Sequence, residues 1–252
     1  MATPSTQPVL AHWQPLPGPD GLVLRCWWAR PQEQQPRAAV LVLPEVFGLN
    51  HWVRSVAERL AAAGYAALAM PIFARTAPEL AVGYDDAGLA EGRQHRDAVM
   101  AEAFLADAGC AIAWLQAQPG LAKPVGCVGF CFGGHLAMLA ATLPAVAATC
   151  DFYGARVSSY RPGGGEPTLA VLPQIPGHLL CLAGAVDPLM PAQELAAIDT
   201  ALASQARPGM VRRQLVAAGA GHGFMCEARA DFHPQASAQG WDAMLRLWAQ
   251  AL

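Results

Sequence analysis

Three residues of this chain belong to types that carry out nucleophilic chemistry together: Cys131 in "VGFCFGGH", Asp187 in "CLAGAVDPLMP" and His222 in "LVAAGAGHGFM". Cys131 occupies the centre of Gly129-Phe130-Cys131-Phe132-Gly133, a G-x-nucleophile-x-G turn with cysteine where serine is commoner. A strand that turns sharply into a helix strains the central residue, and side chains two positions to either side would collide with it. Such a turn would aim the sulfur out of the sheet, beside the positive end of the next helix. That end favours a thiolate over a thiol of reference pKa about 8.5. The N–H of Phe132 would be free to face an oxyanion. Taken alone, the pentapeptide equally suits a buried cysteine whose glycines serve close packing.

The partners decide between the two. A thiol nucleophile needs a base, and the base needs a group that orients it. In a hydrolase built on strands alternating with helices these follow in the order nucleophile, acid, base, each in a loop beyond a strand. Asp187 comes directly after an apolar run and before Pro188. His222 lies in a glycine-rich loop after the last strand-like run. An Asp before Pro can be no more than a turn residue, and a His among glycines no more than a loop residue. Three such residues in the right order and the right places favour a triad.

The elements that must position them are legible as short apolar runs alternating with helix-like segments, the pattern of a mostly parallel sheet covered on both faces. "LVLRCWWA" reads as an early antiparallel strand, and "AAVLVLP", "AALAMP", "VGCVGF", "AATCDFY", "HLLCLAG" and "RRQLVA" as its successors. Helices are expected over "VRSVAERLAAAGY" with Gly64 as its stop, about 97–118, 132–142, about 191–206, and from Pro234 to about residue 249. The expectation is a single α/β domain over residues 1–252, with "RPGGGEP" as a surface loop.

Composition narrows the function. Of 252 residues, 54% are hydrophobic and only 14% charged, which suits a large packed core. A net charge of −3 and the lack of a Lys/Arg run speak against a nucleic-acid partner. Residues 127–150 contain no Asp, Glu, Lys or Arg, yet Gly129, Gly133, Gly134, His135 and Pro144 break them into strand, turn, helix and strand, so no membrane span is expected. The N-terminus has no secretory pattern, and seven cysteines without framework spacing suit free thiols, so the expected location is the cytoplasm. Cys127, Cys131 and His135 would not converge on a metal, and a monomer is expected because no long exposed apolar stripe is evident.

"LPEVFGLN", "GYAALAMPIFAR", "VGFCFGG", "DFYG", "GAVDPLMP" and "GHGF" together resemble the dienelactone hydrolase (carboxymethylenebutenolidase) family, in order over about 38–224. The resemblance implies an α/β-hydrolase fold and a Cys-His-Asp hydrolase without cofactor or metal. It implies that Glu45 contacts the resting thiol and is displaced when substrate binds, so that Cys131 pairs with His222 as a thiolate only then. The oxyanion would be held by the N–H groups of Val46 and Phe132, and Arg75 would help bind a substrate carboxylate. A second carboxylate-binding arginine of the family falls on Cys226 here, so Arg229 or another group takes its place, or the substrate differs.

The chemistry expected is hydrolysis of a small lactone or ester through an acyl-cysteine. A thiolate attacks ester and thioester carbonyls well and amides poorly, because an amine leaves badly. The rivals are a general carboxylesterase or thioesterase of uncharged esters, and a catalytically silent protein of the same fold that binds a small carbonyl compound or a protein.

Overall fold

The computed structural model describes residues 8–252, and the first seven, part of the N-terminal stretch read as lacking a secretory signal, lie outside the described residues. Eight strands form the sheet: β1 (Val9–Pro17), β2 (Val23–Pro31), β3 (Ala39–Leu43), β4 (Ala66–Ala69), β5 (Val125–Phe130), β6 (Val146–Phe152), β7 (His178–Gly184) and β8 (Arg212–Ala217). Their spatial order is β1-β2-β4-β3-β5-β6-β7-β8. β1 and β2 are antiparallel to their neighbours and every later pair is parallel. This is the mostly parallel, helix-flanked sheet of the α/β-hydrolase fold. Every residue of β3, β4 and β5 is buried, as strands covered on both faces must be. β1 is not foreseen in the sequence, since Pro15 and Pro17 interrupt it. Both prolines are tolerable because β1 lies at the edge and pairs with β2 alone.

Among the described residues six α-helices accompany the sheet: α1 (His51–Ala62), α2 (Asp86–Asp97), α3 (Ala101–Gln116), α4 (Phe132–Ala140), α5 (Ala192–Ser204) and α6 (Pro234–Ala251). Asn50 caps α1 by accepting from the Val53 N–H at 3.3 Å, and Gly64 beyond its end takes φ 94°. The helix expected from about residue 97 begins at Ala101, and α2 before it is new. Its sequence, "DAGLAEGRQHRD", offers hardly any apolar period, and Gly88 and Gly92 weaken its intrinsic preference. Gly92 is needed there: a Cβ would lie 2.1 Å from the Val46 carbonyl oxygen. Its absence lets α2 press against the loop that carries Glu45.

Residues 127–150 are β5, a turn, α4 and β6, with all of α4 buried. Among the described residues no single helix is long and apolar enough to cross a membrane. The parallel strands end along one edge, and the loops leaving β3, β5, β6, β7 and β8 gather there, where open parallel sheets bind ligands.

Candidate active site

Cys131 bridges β5 and α4 with φ 55° and ψ −120°, a conformation that non-glycine residues rarely adopt. The packing around it holds the strain. The Cys131 N–H donates to the Phe152 carbonyl at 3.0 Å, and its own carbonyl accepts from the His135 N–H at 3.1 Å. A Cβ on Gly129 would sit 1.9 Å from the Gly133 oxygen, and one on Gly133 would sit 2.3 Å from the Pro44 oxygen. The two glycines of the motif are thus demanded by sterics, and the sulfur stands half-buried at the N-terminal end of α4.

Asp187 lies in the loop after β7 and His222 in the loop after β8, both buried. His222 Nδ1 and Asp187 Oδ2 are 2.8 Å apart, and Asp187 Oδ1 accepts from the Leu189 N–H at 2.7 Å. Two bonds therefore fix the carboxylate, and the carboxylate fixes the ring. The proton belongs on Nδ1, which leaves the buried, unpartnered Nε2 free to accept one in the cavity that Cys131 also lines. Burial alone would discourage a charge on this ring, but the facing Cys131 and the Asp187 carboxylate outweigh it and push its pKa up to about 10. A protonated ring is the state this arrangement favours.

Glu45 is completely buried beyond the end of β3. Its Oε1 accepts from Arg229 Nη1 at 2.9 Å, while Oε2 has no partner. Burial raises its pKa, and Arg229, His222 and the Tyr84 hydroxyl oppose that rise. Cys226, four residues after His222, is buried, and the guanidinium of Arg229, three residues on, pairs with Glu45 and lines the same cavity as Cys131. Among the described residues neither the Val46 nor the Phe132 N–H donates to a backbone carbonyl, and Phe132 is the first residue of α4, whose early N–H groups have no partner within the helix.

These groups open on a cavity of about 380 Å³ lined by Val46, Phe132, Cys131, His222 and Arg229. Arg93 and Arg96 of α2 and Arg156 after β6 also face it. Arg96 is paired with Asp97, whereas among the described residues Arg93 and Arg156 have no carboxylate within ion-pair reach. Two other clefts, one between β8 and α6 (about 540 Å³) and one beside the start of α1 (about 900 Å³), contain neither Cys131 nor His222. Convergent titratable groups, more than volume, single out the first.

The structure places Arg75 apart from this cavity. Its guanidinium is held by the buried Asp107 through Nη2 at 2.8 Å and Nε at 3.2 Å, and it lines a separate shallow cleft. A bidentate partner on α3 draws it away from the thiol. Sequence reasoning missed Arg93 and Arg156, because α2 was not foreseen and Arg156 stands in an irregular loop. Gly163 of "RPGGGEP" packs against Met100, outside the cavity, although Tyr160 just before it lines the wall.

Residues 24–252 match the family model "Dienelactone hydrolase family". A Synechocystis protein named "Putative carboxymethylenebutenolidase" is 37% identical over 215 residues, covering 84% of this chain and 86% of its own. A Bradyrhizobium protein named "Probable 2-oxo-3-(5-oxofuran-2-ylidene)propanoate lactonase" is 27% identical over 96% of this chain and 94% of its own. Among solved structures, "Putative Dienelactone Hydrolase" from Klebsiella pneumoniae superposes with a TM-score of 0.85 at 25% identity, covering 97% of this chain and all of the other. The match runs through every element that carries a residue of the cavity, and the chain is a hydrolase of the dienelactone hydrolase family.

Proposed function

We propose that this enzyme hydrolyses a small lactone or ester that carries an anionic group, through an acyl-cysteine intermediate. Cys131 Sγ attacks the carbonyl carbon, and the Val46 and Phe132 N–H groups hold the oxyanion. The carbon–oxygen bond breaks as His222 gives its proton to the leaving oxygen. His222 then takes a proton from water, the hydroxide attacks the thioester, and the thiolate leaves. Asp187 keeps the ring oriented throughout. The observation that carries this is one cavity in which a cysteine strained into a strand-to-helix turn faces a histidine oriented by a buried carboxylate at 2.8 Å.

The anionic group follows from the walls. Arg93 and Arg156 line the cavity with no carboxylate in ion-pair reach of either among the described residues, and the carboxylate on the wall, Asp231, lies beside Arg229 at 3.7 Å. A substrate carboxylate beside Arg229 would also compete with Glu45 for the guanidinium, coupling substrate binding to that buried carboxylate. The relatives' names, a carboxymethylenebutenolidase and a propanoate lactonase, agree with this class.

The test compares p-nitrophenyl acetate with a small carboxylated lactone, for wild type and Cys131→Ala. Turnover of the carboxylated lactone that disappears in the variant supports the proposal. Cys131-dependent turnover of the neutral ester alone would move the substrate to uncharged esters, and no Cys131-dependent turnover of either would remove the acyl-cysteine.

A further inference from the structure

Arg156, beyond the end of β6, has φ 64°, a left-handed conformation that a long side chain holds only where its surroundings impose it. The Ala155 carbonyl before it is 2.9 Å from Nδ1 of the buried His135, and its own carbonyl accepts from the Ser159 and Tyr160 N–H groups at 3.2 and 2.9 Å. Two residues on, the Ser158 N–H donates to the buried Glu194 at 3.1 Å, and the Ser158 hydroxyl bonds the same carboxylate. The backbone is thus pinned on both sides of the strained residue. Its side chain is placed as well: the guanidinium carbon lies 4.8 Å from the centre of the Tyr160 ring, which meets the His135 ring edge-on at 5.8 Å. Arg156 stands exposed at the rim of the cavity that Cys131 lines, and among the described residues no carboxylate pairs with it.

The other arginines of the cavity gather elsewhere. Arg229 is tied to Glu45, just beyond β3. Arg93 follows Gly92, which packs against the Val46 carbonyl in the same loop. In the sheet, β5, which runs into Cys131, lies between β3 and β6. Positive charge therefore stands on two sides of the sulfur, Arg93 and Arg229 on the β3 side and Arg156 on the β6 side. A single acid bound on the β3 side leaves the Arg156 guanidinium without a counterion.

We propose that Arg156 is a specificity-determining residue that binds a second acidic group, so that the substrate is a small lactone or ester with one acid on each side of the carbonyl that Cys131 attacks. A carboxylate there takes the edge of the guanidinium while Tyr160 keeps its face. The pinned backbone and the ring limit the freedom that the arginine loses on binding. Each product of such an ester keeps one of the two acids, and the ring-opened product of such a lactone keeps both beside its new carboxylate. The inference rests on the reading above, hydrolysis of an anionic substrate at Cys131.

The experiment compares kcat/KM for phenyl hexanoate, 4-carboxyphenyl hexanoate, phenyl hydrogen adipate and 4-carboxyphenyl hydrogen adipate in wild type, Arg156→Gln and Arg156→Lys. These esters carry no acid, an acid on the leaving phenol, an acid on the acyl chain, and both. Thermal unfolding checks that the fold is retained. In wild type the diacid ester is expected to lead each monoacid ester by about three- to fivefold, the size of an exposed charge pair. In Arg156→Gln its lead over one of the two is expected to vanish while its lead over the other persists, and Arg156→Lys is expected to restore part of what was lost. A diacid ester no better than the monoacid esters in wild type would overturn the second subsite, as would an Arg156→Gln that lowers all four esters by one factor or changes none. Monoacid esters that still outpace phenyl hexanoate would then leave the first acid standing. If phenyl hexanoate is the fastest of the four, the anionic substrate falls, and the role of Arg156 with it.

Discussion

Replacing Asp187 by Asn removes one of the two negative charges that hold His222 as an imidazolium. The ring rises from its ordinary value of 6.5 to about 10 although burial opposes the charge, a net stabilisation of about 5 kcal/mol. Cys131 and Asp187 share that rise, and losing a hydrogen bond to a charged group corresponds to about 1.5–3 kcal/mol, or at least about tenfold in kcat/KM. The loss of kcat/KM is expected to exceed that figure, because an asparagine amide can oppose the Nδ1 proton and turn the ring out of register. The sign is fixed: without Asp187 the histidine holds its proton less tightly, so the ion pair gives way to neutral thiol and imidazole and kcat/KM falls at neutral pH. The fold should survive, since Asn is isosteric and its carbonyl still accepts from the Leu189 N–H. The assay is hydrolysis of an activated ester from pH 5 to 10, with thermal unfolding alongside. A kcat/KM within threefold of wild type at every pH would refute the assignment of Asp187 as the group that orients the base.

Three other outcomes follow from the packing. Gly133→Ala would press a Cβ to 2.3 Å from the Pro44 oxygen and 2.4 Å from the Leu43 oxygen, both backbone, so it is expected to cost more than about 4 kcal/mol; a wild-type urea midpoint would contradict this. Arg75→Ala leaves the buried Asp107 without its partner and, because the arginine is partly exposed, is expected to cost about 1–2 kcal/mol while KM for a carboxylated lactone stays within twofold. A large rise in that KM would return Arg75 to the substrate site. His135, buried between the Ala155 carbonyl and the Thr168 hydroxyl, has its pKa pushed down to about 4. Its neutral form is favoured on folding, so its contribution is complete above about pH 6.5 and is lost as pH falls toward 4, in total about 3 kcal/mol. Asp151, lifted to about 7 by burial, acts in the opposite sense over the same range, so the His135 contribution is read as the difference between wild type and His135→Gln in thermal unfolding from pH 7.5 to 4.5.

Much of the fold was legible because buried parallel strands write themselves as unbroken apolar runs. β3, β5 and β7 have no second interpretation once helices separate them. Cys131, Asp187 and His222 were legible for a related reason: each stands just beyond such a run, where the topology brings loops to one edge. What was missed depends on contacts made in three dimensions. β1 carries prolines that only an edge position excuses. α2 carries glycines that only the close approach of the Val46 carbonyl explains. Arg75 follows a strand much as a site residue would, and only the place of Asp107 on α3 takes it elsewhere. Arg229 illustrates the reverse, since its distance along the chain gave no hint that it would meet Glu45, a residue from the other end of the sequence.

The order of the strands also has a consequence for a chain that is still being made. β5 and the turn bearing Cys131 lie midway along the sequence, whereas Asp187 and His222 follow β7 and β8, and α6 closes the chain after them. Synthesis runs from the N-terminus, so a growing chain carries its sulfur and Glu45 long before it carries His222. Until β8 pairs with β7 and delivers His222, the sulfur lacks the ring that the completed sheet sets in its cavity. The pairing of sulfur with base is thereby postponed to the completed sheet, and a prematurely ended chain that lacks β8 carries the strained cysteine without its histidine.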